Sequence, residues 1–203
     1  MHKYTGPHDY FDNGYVDEWT SVANSKRPFR HAFFAAFSDE LKKLDHPQVL
    51  DVGSGPGFLA AQVLNECDVA SYHLFDFSPR MIELSRERLE AFRDKTVFHQ
   101  GSFLDDGWWR SLPDFFDAIV SLQAVHEVRQ SNRIPRLYGE LGLLLRPGGT
   151  ILMADEVNEA NKQEEHLLTR EEHQAALINA GFESVGIVYE EGDLSMFGGS
   201  RKQ

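Results

Sequence analysis

Apolar positions in this chain follow two alternating periods. Val49-Leu50-Asp51-Val52, preceded by Gln48, is a short apolar run of the kind that forms a strand buried on both faces. From Gly57 onward the helix formers Leu59, Ala60, Ala61, Gln62 and Leu64 take over. Further strands are predicted at His73-Leu74-Phe75-Asp76, at Thr96 to Gln100 and at Phe116 to Ser121. Between the first two of these, Met81, Ile82, Leu84, Ser85, Leu89 and Phe92 recur at helical spacing behind Ser78 and Pro79, a cap and first-turn pair. Leu143 to Arg146 reads as a helix end, Pro147-Gly148-Gly149 as a turn, and Thr150 to Met153 as a fifth strand. Gly181 to Val188 and Leu194 to Gly199 flank the acidic turn Glu190-Glu191-Gly192-Asp193, which predicts a hairpin. With a helix predicted over 28–44, the alternation is that of an α/β protein.

The junction between the first strand and its helix carries chemistry. Gly53 and Gly55 can take positive φ and let a ligand approach the backbone, and the helix start beyond them offers free N–H groups. In open α/β sheets such a turn at a strand's carboxyl end is where ligands bind. The dinucleotide fingerprint Gly-x-Gly-x-x-Gly is not met, because the third glycine comes one residue early, at Gly57, and Phe58 stands where glycine is expected. Asp51 before the turn would repel a pyrophosphate and suits a cofactor that carries positive charge. About 20 residues beyond the turn Asp76 closes the second strand, the spacing at which a carboxylate receives ribose hydroxyls.

Asp51-Val52-Gly53-Ser54-Gly55-Pro56-Gly57 resembles the acidic Gly-x-Gly-x-Gly loop of the class I S-adenosylmethionine (SAM) dependent methyltransferases, and the ordered segments from about residue 30 to 201 resemble that family in sequence order. The resemblance implies a Rossmann-like three-layer sandwich. Its seven-stranded, mostly parallel sheet would have order 3-2-1-4-5-7-6, with strand 7 antiparallel as a terminal hairpin provides. The cofactor implied is SAM, with S-adenosylhomocysteine (SAH) as product. On this reading Asp51, Gly53, Ser54, Gly55 and Gly57 hold the methionine end and Asp76 the ribose. Phe77, Met81, Gly101, Ser102 and Phe103 surround the adenine, while Ser121 and Gln123 line the cofactor near its sulfur.

Positioning the acceptor in line with the methyl can supply most of the acceleration, so no base is strictly required. His126, after the fourth strand, is the candidate general base, with Glu127 beside it. No metal site is expected, although Asp155, Glu156, Glu127 and His166 supply oxygen and nitrogen donors. One ring of Trp108-Trp109 is a candidate cover for the adenine and the other for core packing.

Composition narrows the acceptor. With 203 residues, 41% of them hydrophobic, the chain suits one domain over 1–203, its residues 1–44 forming amino-terminal cap helices and 45–203 the cofactor-binding core. A net charge of −12 with scattered basic residues argues against nucleic acid, and a small-molecule acceptor is expected. The first residues have neither the basic nor the apolar region of a signal peptide, and no stretch suits a membrane span, so a cytoplasmic monomer or homodimer is expected. The lone Cys67 reads as a small buried hydrophobe. Tyr4, Tyr10, Phe11, Tyr15 and Trp19 make the extension aromatic enough to serve as a lid over a cofactor cleft. The alternatives are a protein methyltransferase, a non-catalytic SAM-binding partner subunit and, disfavoured by the glycine spacing, an NAD-dependent oxidoreductase.

Overall fold

A computed structural model describes residues 8–113, 115–158 and 166–203. In chain order its regular elements are α1 (Asn13–Lys26), α2 (Arg30–Leu41), β1 (Gln48–Val52), α3 (Phe58–Glu66), β2 (Ser71–Asp76), α4 (Pro79–Arg88), β3 (Thr96–Gln100), β4 (Phe116–Leu122), α5 (Ile134–Leu144), β5 (Leu145–Glu156), α6 (Arg170–Asn179), β6 (Phe182–Glu191) and β7 (Leu194–Arg201). Single 3-10 turns fill several of the connections.

The strands form one sheet of order β3-β2-β1-β4-β5-β7-β6. Strands β1 to β5 pair in parallel, and β7 runs antiparallel to both β5 and β6. The two-residue link Gly192-Asp193, with Gly192 at φ +65°, turns β6 back into β7. That turn inserts the last strand between β5 and β6, the topology the terminal hairpin predicts.

Alternation along β1 builds the layers on the two sides of the sheet. Leu50 and Val52 join the layer of Phe116, Ile119, Leu137, Tyr138, Leu141 and Phe197, which holds α5. Val49 joins that of Phe33, Phe37, Leu41, Leu59, Val63 and Met196, which holds α2 and α3. Cys67 ends α3 inside this second layer. No helix of the described residues is long and apolar enough to cross a membrane.

Two boundaries differ from the sequence reading. Helix α2 stops at Leu41 rather than 44, and the chain leaves it through His46 at φ +48°, ahead of Pro47, which disfavours helical backbone before it. There is also no free turn before β5. Helix α5 runs straight into the strand, and Pro147-Gly148-Gly149 is absorbed as an irregularity, since Phe116 pairs with Leu145 but Ala118 with Thr150. Gly148 at φ +76° permits the bulge.

Candidate functional site

Each glycine of the β1–α3 turn has left-handed backbone, but each serves a different neighbour. A Cβ at Gly53 would lie 2.2 Å from the Ala124 Cβ, so the turn here packs directly against the segment after β4. At Gly57, the N-cap of α3, it would lie 3.1 Å from the Ser85 Cβ, so this glycine sets the approach of α3 to α4. At Gly55 it would meet nothing within 4 Å. The turn is tied to β2, because the Gly53 and Ser54 N–H groups both donate to the Phe75 carbonyl (2.8 and 3.2 Å).

Two buried acids flank this turn. Asp51, 1% exposed, accepts a hydrogen bond from the Tyr72 hydroxyl at 3.0 Å. Burial pushes its carboxyl up to about 7; the Tyr72 bond opposes the rise and the nearby Asp76 adds to it. Asp76 accepts from the Gly55 N–H at 2.8 Å and the Ser78 N–H at 2.9 Å. Burial lifts its carboxyl to about 6 against the pull of these backbone donors. The buried Ser54 hydroxyl has no hydrogen-bond partner. Such groups are incompletely compensated, and a ligand bringing an ammonium group and hydroxyl donors would complete them.

They open into a cleft of about 780 Å³, counting space open to solvent. Asp51, Gly53, Ser54, Gly55, Asp76, Phe77, Met81, Gly101, Phe103 and Gln123 line it. Four other residues proposed from sequence do not. Gly57 faces α4 as described. Ser121, 1% exposed, spends its hydroxyl on the Val52 carbonyl at 2.7 Å, bracing β4 against β1. Ser102 Oγ accepts from the Leu104 N–H at 3.1 Å and shapes its own loop. Both tryptophans also stand off the lining: Trp108 packs on Phe75 with ring centroids 4.9 Å apart and donates to Glu140 at 2.9 Å, and half-buried Trp109 lies under Arg110.

His126 is the fourth. Its Nδ1 lies 2.6 Å from Asp155 Oδ1 and its Nε2 3.6 Å from Glu127 Oε1. Burial alone would depress the imidazole, but the charge and hydrogen bond of Asp155, with Glu127 adding, push it up to about 10. His126 is thus clamped between two carboxylates and lies off the cleft lining, a position that orients Asp155 and Glu127 rather than facing the cleft directly. The pairing also occupies Asp155. Among the described residues, no group of three or more His, Cys, Asp or Glu side chains is arranged to hold a metal ion.

The further walls of the cleft include Tyr10, Trp19, Arg30 and Glu127. The Tyr10 hydroxyl donates to Glu127 at 3.2 Å, and the Tyr10 carbonyl accepts from Ser78 Oγ at 2.6 Å. Arg30 is only 6% exposed, and its Nη1 donates to Gln123 Oε1 at 2.9 Å. Gln123 itself has φ +55°, a strained conformation for a residue with a side chain. Sequence reasoning overlooked Arg30. The available signal was its place three, four and seven residues before Phe33, Phe34 and Phe37, on the buried stripe of α2.

Comparison with known proteins agrees with this geometry. A family model described as "Methyltransferase domain" matches residues 49–149. The chain is 29% identical over 180 residues to sterol 24-C-methyltransferase erg-4 of Neurospora crassa, covering 77% of this chain and 44% of that protein. It thus spans less than half the length of that relative. Among solved structures, PigF with SAH superposes with a TM-score of 0.76 at 16% identity, covering 95% of this chain and 60% of that one. Human N-acetylserotonin methyltransferase in complex with SAM gives 0.71 at 16% identity, covering 96% and 58%. At such identities these two likenesses speak to the fold alone. Sheet order, glycine turn and family match together define a Rossmann-like methyltransferase fold. The family match, the sterol methyltransferase relative and the sheet order together support a class I SAM-dependent methyltransferase. Its cleft fits the family's cofactor, with an unpartnered Ser54 hydroxyl and two acids suited to an amine and to ribose hydroxyls.

Proposed function

We propose that this chain transfers a methyl group from SAM to a small-molecule acceptor. The observation that carries the reading is the convergence of the Gly53-Ser54-Gly55 backbone with two buried, undercompensated acids in one cleft. Asp51 would receive the cofactor's α-amino group and Asp76 its ribose hydroxyls, with Phe77, Met81 and Phe103 against the adenine and Gln123 towards the sulfur. Bound SAM supplies a methyl group already activated by the sulfonium, which leaves the protein to orient the acceptor and exclude water. Tyr10 and Trp19 are suited to both tasks because they wall the cleft from the amino-terminal side. The net charge of −12 favours a small acceptor over a nucleic acid. His126 enters as a positioning residue that holds Asp155 and Glu127 in place.

Calorimetric titration with SAH, with NAD as the matched control, tests the reading. Micromolar SAH binding, roughly −8 kcal/mol, is expected without NAD binding. Asp76→Ala should weaken SAH by about 1.5–3 kcal/mol, the scale of charge-assisted hydrogen bonds. Binding of NAD alone, or of neither ligand, would refute the cofactor reading. Unchanged SAH affinity in the variant would refute the ribose assignment.

A further inference from the structure

Arg30 is a buried cation in the cleft without a counter-charge. It opens α2 and lines the same space as Asp51 and the glycine turn. Its guanidinium rests on the rings of Trp19 and Phe34, at 5.8 and 5.7 Å, and Nη1 donates to the neutral amide oxygen of Gln123. Nε is buried with no hydrogen-bond partner, and among the described residues no carboxylate forms an ion pair with the group. Burial, and then the neighbouring Arg27 cation, pull the guanidinium down to about 10. A guanidinium buried in this way is unfavourable until an anion reaches it. The strand ends place that deficit at the glycine turn. Strands β1 and β4 are neighbours, with Asp51 opposite Val120, so the residues past the end of β4 stand beside the turn. Ala124 comes close enough to touch a Cβ at Gly53, and Gln123 precedes it in the chain. Gln123 is held from its other side as well. Its Nε2 donates to Glu156 Oε1 at 3.3 Å, and Glu156 pairs with Arg27 at 2.9 Å. With the amide nitrogen engaged by Glu156, the amide oxygen is left to hold Arg30.

Resting on the reading that the cleft holds SAM, we propose that Arg30 receives the cofactor's α-carboxylate, with Gln123 and Glu156 as positioning residues for the guanidinium. The cofactor's α-carbon carries an ammonium and a carboxylate together. This cleft answers with a carboxyl and a guanidinium, Asp51 and Arg30, which share one lining and form no ion pair with each other. One ligand therefore supplies both missing charges, and a nucleoside without an amino acid supplies neither. The Nε edge of the planar fork is the part of Arg30 left for a carboxylate, since Nη1 is spent on Gln123. Arg27 follows α1 as its C-cap, so the clamp Arg27–Glu156–Gln123–Arg30 also ties this subsite to the amino-terminal helices.

The test titrates the full chain by calorimetry with SAH and with its decarboxylated analogue, S-adenosyl-3-thiopropylamine, which keeps the amine and lacks only the carboxylate. Wild type should bind SAH about tenfold or more tighter than the analogue, the scale of a charge-assisted hydrogen bond. Arg30→Gln should bring SAH down to the analogue's affinity without weakening the analogue. Glu156→Gln removes the partner of Arg27 and frees the Gln123 amide to turn, so it should narrow the preference for SAH severalfold, again without weakening the analogue. That second variant carries the test should Arg30→Gln misfold by circular dichroism. Equal binding of the two ligands by wild type would overturn the proposal. So would an equal loss for both ligands in Arg30→Gln, which is the mark of a purely structural role, and a preference left unchanged in Glu156→Gln would overturn the clamp. Failure of the wild type to bind SAH at all is a separate result, and it refutes the cofactor reading itself.

Discussion

Adding one methyl group at Gly53 and one at Gly55 separates packing from ligand access. Both glycines have positive φ, so either alanine substitution brings about 1–2 kcal/mol of backbone strain. At Gly53 the new Cβ also collides with Ala124, and overpacking adds about 1–3 kcal/mol. Gly55→Ala meets no protein atom and borders the cleft. Gly53→Ala should therefore melt at clearly lower urea, whereas Gly55→Ala should remain folded and lose SAH affinity. Equal urea midpoints for the two would contradict the close approach of this turn to Ala124. At this scale the sequence revealed the residues whose role is local. The glycine turn, Asp51 and Asp76 announce themselves through spacing. Ser121 did not, because whether its hydroxyl faces a ligand or the Val52 carbonyl depends on a strand 69 residues away. Arg30 was hidden for the same reason, since its setting among Trp19, Gln123 and Phe34 exists only in the folded chain.

Among the elements, Ser78 joins two that are far apart in sequence. Its hydroxyl caps α4 by accepting from the Met81 N–H at 3.3 Å and donates to the Tyr10 carbonyl at 2.6 Å, tying the aromatic extension to the cleft rim. The ion pair of Arg80 with Asp17 at 2.8 Å adds a second, more exposed link between α4 and α1. Ser78→Ala should lower stability by about 1 kcal/mol through the lost cap and speed SAH release through the loosened extension. Urea melts and stopped-flow displacement of SAH would measure the two effects. A lowered urea midpoint with an unchanged release rate would mean that the extension does not hold the cofactor in. The cap itself was legible, because Ser78-Pro79 ahead of a helical period has a local cause. So were the strands and the terminal hairpin, each of which follows from period and turn chemistry. The bulge in β5 was not, since Pro147-Gly148-Gly149 reads as a turn until β4 pairs across it. Nor could any pattern place Tyr10 against Glu127, a contact spanning 117 residues.

For the whole molecule, the buried acids set how stability responds to pH. Asp51 and Asp76 hold their protons to about 7 and about 6, above their ordinary value of 3.8. Between these limits the folded chain binds more protons than the unfolded one, so these groups make it less stable as pH rises. His126, raised from 6.5 to about 10 by its carboxylate partners, acts in the same direction: its contribution is complete below 6.5 and is lost as pH rises through about 10. His73, lowered to about 4 by burial, opposes this only between about 4 and 6.5. The ligand-free protein should therefore melt at a lower temperature at pH 8 than at pH 6.5, and growing self-repulsion at a net charge of −12 works in the same sense. SAH should reverse the trend, because an ammonium beside Asp51 favours the carboxylate and drives off its proton. Affinity should then rise with pH up to about 7, by as much as about tenfold per unit where Asp51 is protonated in the free protein. Scanning calorimetry at both pH values, with and without SAH, should show a thermal increment that grows with pH in the wild type and is flat in Asp51→Asn. An increment that does not change with pH in the wild type would place the amine elsewhere and remove Asp51 from the cofactor's methionine end.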